Sequence, residues 1–137
     1  MKSRDTLIRL KRFQVDEKRR QVAQIETMIA EFERMASELE REIKTEEGRA
    51  GITDTAHFAY PTYARAAMVR RDNLRGSADD LKEKLDAAKA ALGEAFEELK
   101  KVEILDDREK ASERMQESQR EQVEMDRLGL MRGHGRL

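Results

Sequence analysis

The 137-residue chain is long enough for one domain, but 42% of its residues are charged and 4% are aromatic, which leaves too little apolar surface for a thick globular core. It has no cysteine, which excludes disulfides and thiolate metal sites and fits a reducing compartment. No signal-peptide pattern is present and no apolar run approaches the ~20 residues of a bilayer-spanning helix. We therefore expect a cytosolic protein with no direct membrane insertion.

The first helix is predicted over about residues 3–47. Ser3 is a capping residue type, Asp5 suits the first turn, and Gly48 or Gly51 can end the helix. Apolar residues recur with the heptad spacing of a coiled coil. The predicted seam residues are Ile8, Val15, Val22, Ile29, Phe32, Leu39 and Ile43.

A connector is predicted at about residues 48–61, because this segment contains Gly48, Gly51 and the chain's only proline, Pro61. Three of the six aromatic residues lie close together there, at Phe58, Tyr60 and Tyr63. They can cap the end of a thin core, or they can offer a partner large contact area at low entropic cost. We expect Phe58 to point inward and both tyrosines to be at least partly exposed.

The second helix is predicted over about 62–128, followed by a flexible tail at 129–137. Gly76 and Gly93 interrupt it, but the apolar phase continues through both, which favours one continuous helix over a new helix capped by Ser77. Its predicted seam residues are Leu74, Leu81, Leu85, Leu92, Leu99 and Val102.

Charge blocks predict how the helices pair. Residues 26–47 carry eight acidic and three basic groups, whereas residues 1–20 carry three acidic and eight basic groups. Folding back at the connector sets these blocks against opposite charges on the second helix, with residue 43 near 67 and residue 8 near 102. A parallel, in-register dimer is the alternative, since β-branched residues at alternate seam positions also suit two-stranded parallel coils.

The predicted fold is thus all-α: a single coiled-coil domain formed by a long antiparallel two-helix hairpin of unequal arms. The seam frame continues after Val102 with polar residues, beginning at Asp106. Residues 106–128 are therefore predicted to overhang as a mostly solvated helix. The overhang either frays or uses its apolar residues as a contact stripe for another protein; these are Met115, Val123, Met125 and Leu128.

The sequence offers no catalytic, cofactor or metal site. His57 and His134 lie far apart without metal-ligand spacing, and no glycine-rich phosphate loop is present. The basic run over residues 11–20 suits phosphates, but it also faces an acidic stretch of the second helix, and the isoelectric point is about 6.2. A non-enzymatic interaction protein is favoured, with a homodimeric scaffold or adaptor and a nucleic-acid binder as alternatives.

Two stretches and the predicted architecture resemble the flagellar export protein FliJ family. The stretches are the opening "MKSRDTLIRLKRFQVDEKRRQVAQIETMIAEF" and the run Glu121-Gln122-Val123-Glu124-Met125-Asp126. The architecture is the hairpin of unequal arms. The middle, "DTAHFAYPTYARAA" followed by "RRDNLR", is similar to the version found in rhizobia-like alphaproteobacteria. The resemblance covers nearly the whole chain.

This resemblance implies a non-enzymatic, stalk-like component of the flagellar type III protein export apparatus. Its implied partners are the hexameric export ATPase, the cytosolic linker of the membrane export gate, and export chaperones, with no cofactor. Its implied location is the cytoplasm, peripherally at the inner membrane beside the flagellar basal body.

The resemblance also assigns contact residues. The ring-inserting end carries the two termini, roughly residues 2–20 and 108–128. The residues implied there are Lys11, Arg12, Lys18, Arg19, Met115, Val123, Met125 and Leu128. The implied export-gate residues near the connector are Tyr60, Tyr63, Ala67, Arg70 and Leu74.

Overall fold

Two long helices make up the chain in the computed structural model, which describes residues 2–135 and the side chains of residues 3–133. Helix α1 spans Lys2–Ala50 and helix α2 spans Thr62–Gly135. The helices pack antiparallel and α2 is the longer, which confirms the predicted hairpin. Contacts divide the chain into two compact units, the connector unit (residues 14–95) and the terminal unit (residues 2–13 with 96–135).

Gly51, one of the two glycines predicted to stop helix α1, directly follows its last residue, Ala50. Gly51 has a φ of 68° and its N–H donates to the Glu47 carbonyl at 2.9 Å. This left-handed conformation is easy for glycine, which has no Cβ to clash with the backbone. Helix α1 thus runs to Ala50, a few residues beyond the predicted end near 47.

Helix α2 begins directly after Pro61, whose carbonyl accepts the Arg65 N–H at 3.1 Å. The helix passes through Gly76 and Gly93 without a break, as the continuous apolar phase predicted. It also continues past Leu128, where the sequence predicted a flexible tail, to Gly135. Glycine lowers helix propensity by about 1 kcal/mol per residue but does not forbid helical angles, so Gly129 and Gly133 do not end α2.

The connector unit buries one side chain of α1 every two turns, at Val15, Val22, Ile29, Ala36 and Ile43. Phe32 and Leu39 are half-buried beside them. On α2, Ala78 and Leu81 are buried, and Leu74, Leu85 and Leu92 are half-buried. The 3.5-residue apolar period therefore lies along the contact between the helices.

The terminal unit has a shorter seam. Ile8 and Leu99 are buried, Val102 is half-buried, and the next seam position, Asp106, is also buried. Every residue from 107 to 133 is exposed, and among the described residues the last contact from α1 is that of Arg4 with Glu113. Within residues 2–135, neither helix contains a stretch long and apolar enough to cross a membrane.

Candidate functional site

A small apolar cluster closes the connector unit beside the loop between the helices. Ile43, Tyr60, Ala64 and Ala67 are buried together, with Leu39, Ile52 and Met68 packed against them. The Tyr60 hydroxyl donates to the Met68 Sδ at 3.5 Å, and the Arg65 guanidinium lies 5.6 Å from the Tyr60 ring centroid. Ile43 and Ala67 share this cluster, which agrees with the predicted pairing of residues 43 and 67.

Two expectations about the connector aromatics are wrong. Phe58 was expected to point inward but is 94% exposed, and Tyr60 was expected to be partly exposed but is only 4% exposed. Tyr60 lies four and seven residues before Ala64 and Ala67, so its ring falls on the seam of α2. Phe58 lies in the preceding turn and stacks on His57, with ring centroids 4.8 Å apart.

The five residues implied for the export gate are not equally accessible. Ala67 and Tyr60 are buried and Leu74 is half-buried, while Tyr63 and Arg70 are exposed. The Tyr63 hydroxyl donates to Glu42 Oε2 at 2.7 Å. This hydrogen bond to a carboxylate raises the pKa of the Tyr63 hydroxyl above its ordinary value.

Tyr63 also lines an open groove formed mainly by one face of α1. The other lining residues are Glu38, Arg41, Glu42, Thr45, Glu46 and Arg49. Their side chains are mostly charged and the groove is shallow, so it does not enclose a ligand or converge on a reacting atom.

An ion pair at a seam position lies further along the connector unit. Arg71 donates to Glu40 Oε2 at 2.5 Å, and Arg75 lies 3.7 Å from the same oxygen. The Arg71 hydrogen bond holds the pKa of the Glu40 carboxyl below its usual value. This pair is the predicted meeting of the acidic part of α1 with the arginines of α2.

In the connector unit the last seam positions form an apolar cluster, whereas in the terminal unit they form a charged one. The Arg4 guanidinium lies 3.5 Å from Asp106, 2.5 Å from Glu109 and 3.0 Å from Glu113. Lys110 pairs with the second Asp106 oxygen at 2.9 Å. The hydrogen bond from Lys110, together with the charges of Lys110 and Arg4, lowers the pKa of the Asp106 carboxyl.

Sequence reasoning did not single out Arg4. The signal was present, because Arg4 lies four residues before the seam residue Ile8 and Asp106 lies four residues after Val102. Both therefore continue the seam frame, and a charged pair occupies the place of an apolar contact.

The residues implied for the ATPase ring fall into two groups. Lys11 pairs with Glu98 at 2.8 Å and Arg12 with Glu103 at 3.6 Å, while Lys18 is half-buried and Arg19 is exposed. The apolar residues of this set are all exposed, with no helix beside them: Met115, Val123, Met125 and Leu128. Leu130 and Met131 extend the same exposed stretch.

The chain was also compared with known proteins. It matches the family described as "Flagellar FliJ protein" over residues 1–137. The chain belongs to this family. The searches of curated proteins and of solved structures found no match.

The family match confirms the resemblance to the FliJ family read from the sequence. FliJ proteins are non-enzymatic components of the flagellar export apparatus. Among residues 2–135, no three histidine or acidic side chains lie together in a way that would hold a metal ion. This FliJ family member exposes the unpaired part of α2 (residues 114–133) and two aromatic residues near the connector, Phe58 and Tyr63.

Proposed function

We propose that this FliJ family member regulates the hexameric flagellar export ATPase through the unpaired part of α2, and contacts the export gate through residues beside the connector. Export chaperones are further partners in this proposal. The site of action is the cytoplasmic side of the inner membrane at the flagellar basal body. On "DTAHFAYPTYARAA" and "RRDNLR" we also assign the chain to the alphaproteobacterial version of the family.

The observation that carries the ATPase proposal is the exposed apolar surface of α2 after Asp106. Six large apolar side chains there are between 46% and 68% exposed: Met115, Val123, Met125, Leu128, Leu130 and Met131. A helix with such side chains and no intramolecular partner is suited to the apolar groove of another protein. Methionine supports this role because its flexible thioether adapts to irregular surfaces.

The basic residues implied for the ring contribute less in this proposal. Lys11 and Arg12 already pair with Glu98 and Glu103 on α2. Breaking these pairs to bind a partner would exchange one ion pair, worth about 0–1 kcal/mol, for another of similar worth, with little net gain. The apolar residues therefore supply most of the affinity and the exposed Arg19 a minor part.

The export-gate proposal narrows to two side chains. Tyr63 and Arg70 are exposed on neighbouring turns of α2, whereas Tyr60 and Ala67 are committed to the buried cluster. Tyrosine combines a large ring with few rotatable bonds, so it loses little entropy on binding. The Tyr63 to Glu42 hydrogen bond holds the ring in one orientation, which further favours binding.

The ATPase proposal is tested by measuring ATP turnover of the co-encoded hexameric ATPase with and without this protein. The double variant Val123→Ser, Met125→Ser should reduce the stimulation at least several-fold. Val69→Ser is the matched control, because Val69 is 59% exposed on the paired part of α2 and Val123 is 66% exposed on the unpaired part. Equal losses in both variants, or no stimulation by the wild-type protein, would contradict the proposal.

The gate proposal needs its own test. Tyr63→Ala should weaken binding to the cytosolic linker of the export gate and leave helix content and the melting temperature nearly unchanged. If the variant melts early, Tyr63 has a structural role and the contact fails at this residue. If it binds the linker as well as the wild-type protein, the contact lies elsewhere.

A further inference from the structure

The connector contains two successive turns with the same hydrogen-bonding pattern. In the first, Asp54 Oδ1 accepts the Ala56 N–H at 3.0 Å and the Asp54 carbonyl accepts the His57 N–H at 3.1 Å. In the second, His57 Nδ1 accepts the Ala59 N–H at 3.0 Å and the His57 carbonyl accepts the Tyr60 N–H at 3.1 Å. A side chain thus closes each turn by accepting the N–H two residues later.

The two accepting side chains respond differently to protons. Aspartates are ordinarily ionised above about pH 5 and accept hydrogen bonds throughout the neutral range. A histidine accepts at Nδ1 only when that nitrogen carries no hydrogen, and its cation carries hydrogen on both nitrogens. Histidine side chains in general change charge between about pH 5 and 8, and a proton added at Nδ1 would remove the acceptor that closes the second turn.

We propose that His57 makes the connector a pH-sensitive turn, closed by the neutral imidazole at Ala59 and opened when the imidazole gains a proton. Hydrogen on Nδ1 would face the Ala59 N–H, so the donor pair must separate. This inference concerns the connector alone and does not depend on which partners the protein has.

The neighbouring groups limit the opening to one place. The charged groups that act on the hydroxyl of neighbouring Tyr60 are Glu47 near the end of α1 and Arg65 and Arg71 in α2, and Asp54 closes the preceding turn. Burial and the Glu47 carboxylate raise the pKa of the Tyr60 hydroxyl above its ordinary value. Tyr60 also stays held by its apolar cluster.

The stack of His57 on Phe58 should survive protonation. The two rings lie 4.8 Å apart at an interplanar angle of 22°, and the face of a phenyl ring attracts a cation. The opening is therefore confined to the backbone at Ala59. In the opened turn a cation and a free amide donor would lie beside the exposed Phe58 ring.

The test is an NMR titration of the full chain between about pH 8 and 5, a range that includes histidine titration. His134→Ala leaves His57 as the only histidine of the two in the chain. We expect the Ala59 amide proton to shift toward its open-chain position, with a midpoint equal to that of the His57 ring protons. Its amide temperature coefficient should change from that of a bonded to that of a solvated N–H.

Two substitutions at His57 decide the mechanism. In His57→Asn the side-chain oxygen can accept the Ala59 N–H at every pH, so the transition should disappear and the amide should stay bonded. In His57→Ala the amide should be solvated over the whole range. The proposal is overturned if the Ala59 amide stays bonded while His57 titrates, or if His57→Asn retains the transition.

Discussion

The Tyr60 cluster and the Arg4 cluster both continue the helical seam, but they do so with opposite chemistry. The Tyr60 cluster buries Ile43, Ala64 and Ala67 against an aromatic ring. The Arg4 cluster places a guanidinium among Asp106, Glu109 and Glu113. Apolar burial stabilises in proportion to the area removed from water, whereas a charged cluster must offset the desolvation of its own groups. The comparison indicates that stability resides in the Tyr60 cluster and pairing specificity in the Arg4 cluster.

The largest expected effect comes from a cavity in the Tyr60 cluster. Ile43→Ala should lower the free energy of unfolding by about 2–4 kcal/mol, because it removes buried methyl groups and leaves a space. Ile104→Ala is the matched control: Ile104 is 48% exposed and Ile43 only 3%. The control should change the free energy by no more than about 0.5 kcal/mol. Urea unfolding measures both, and similar losses would show that burial in the cluster does not matter.

A smaller effect is expected from Asp106→Ala, which leaves Arg4 with the more exposed Glu109 and Glu113. The first turns of α1 should exchange their amide hydrogens faster, while the urea midpoint falls less than in Ile43→Ala. Asp107→Ala, at the exposed neighbouring position, should leave exchange unchanged.

The double variant Arg4→Met, Asp106→Leu sharpens this point. Replacing both charges by apolar groups should restore the protection that Asp106→Ala loses, since buried ion pairs are often replaceable by apolar pairs. If protection is lost even so, the charges stabilise the hairpin directly and the assignment of specificity to this cluster is wrong.

Acid should next distinguish the ion pairs of the two units from the apolar Tyr60 cluster. The pKa values of Glu40 and Asp106 are lowered, by the hydrogen bonds from Arg71 and Lys110 respectively. A carboxyl with a lowered pKa in the folded state contributes stability above its unfolded pKa, and this stability is lost as pH falls through the folded pKa. The melting temperature should therefore fall below about pH 4.5, where carboxylates begin to protonate. Glu40→Gln should make this decline shallower, whereas Ile43→Ala should shift the curve down without changing its shape.

The smallest effect on stability is expected from Glu42→Gln. It removes the carboxylate that accepts the Tyr63 hydroxyl, so the pKa of Tyr63 should move down toward its ordinary value. Ultraviolet absorbance during an alkaline titration reports this change, and the urea midpoint should stay within error of the wild type. An unchanged tyrosine titration would mean that the hydrogen bond is absent in solution.

The seam and the pairing direction could be predicted from the sequence because they depend on repeated features. Residues such as Val22 and Ile29 recur at coiled-coil spacing, and the charge blocks favour one direction of pairing. The same spacing, continued backward from Ala67 through Ala64, reaches Tyr60. The apolar pattern is interrupted at Arg71, which occupies a seam position through its pair with Glu40, and this interruption hid the role of Tyr60.

The contact chemistry around the connector and at Arg4 could not be predicted in the same way. Whether Phe58 or Tyr60 turns inward depends on the backbone between Gly51 and Pro61, which consists of turns without a period. Which carboxylates surround Arg4 depends on the register to within one residue, since Asp106, Glu109 and Glu113 all lie on the face that Arg4 meets. Charge blocks determine direction but not these individual partners.

The unpaired part of α2 has a thermal consequence. Residues 114–133 are all exposed, so their helical form depends on interactions within α2 such as the Gln122 to Asp126 hydrogen bond. A helix held in this way melts gradually, turn by turn, whereas a packed hairpin melts cooperatively. Circular dichroism should therefore show a sloping loss of helix well below the main transition. A partner that binds this segment would pack against the helix and so remove the slope. Binding would cost little ordering entropy, because the segment is already partly helical.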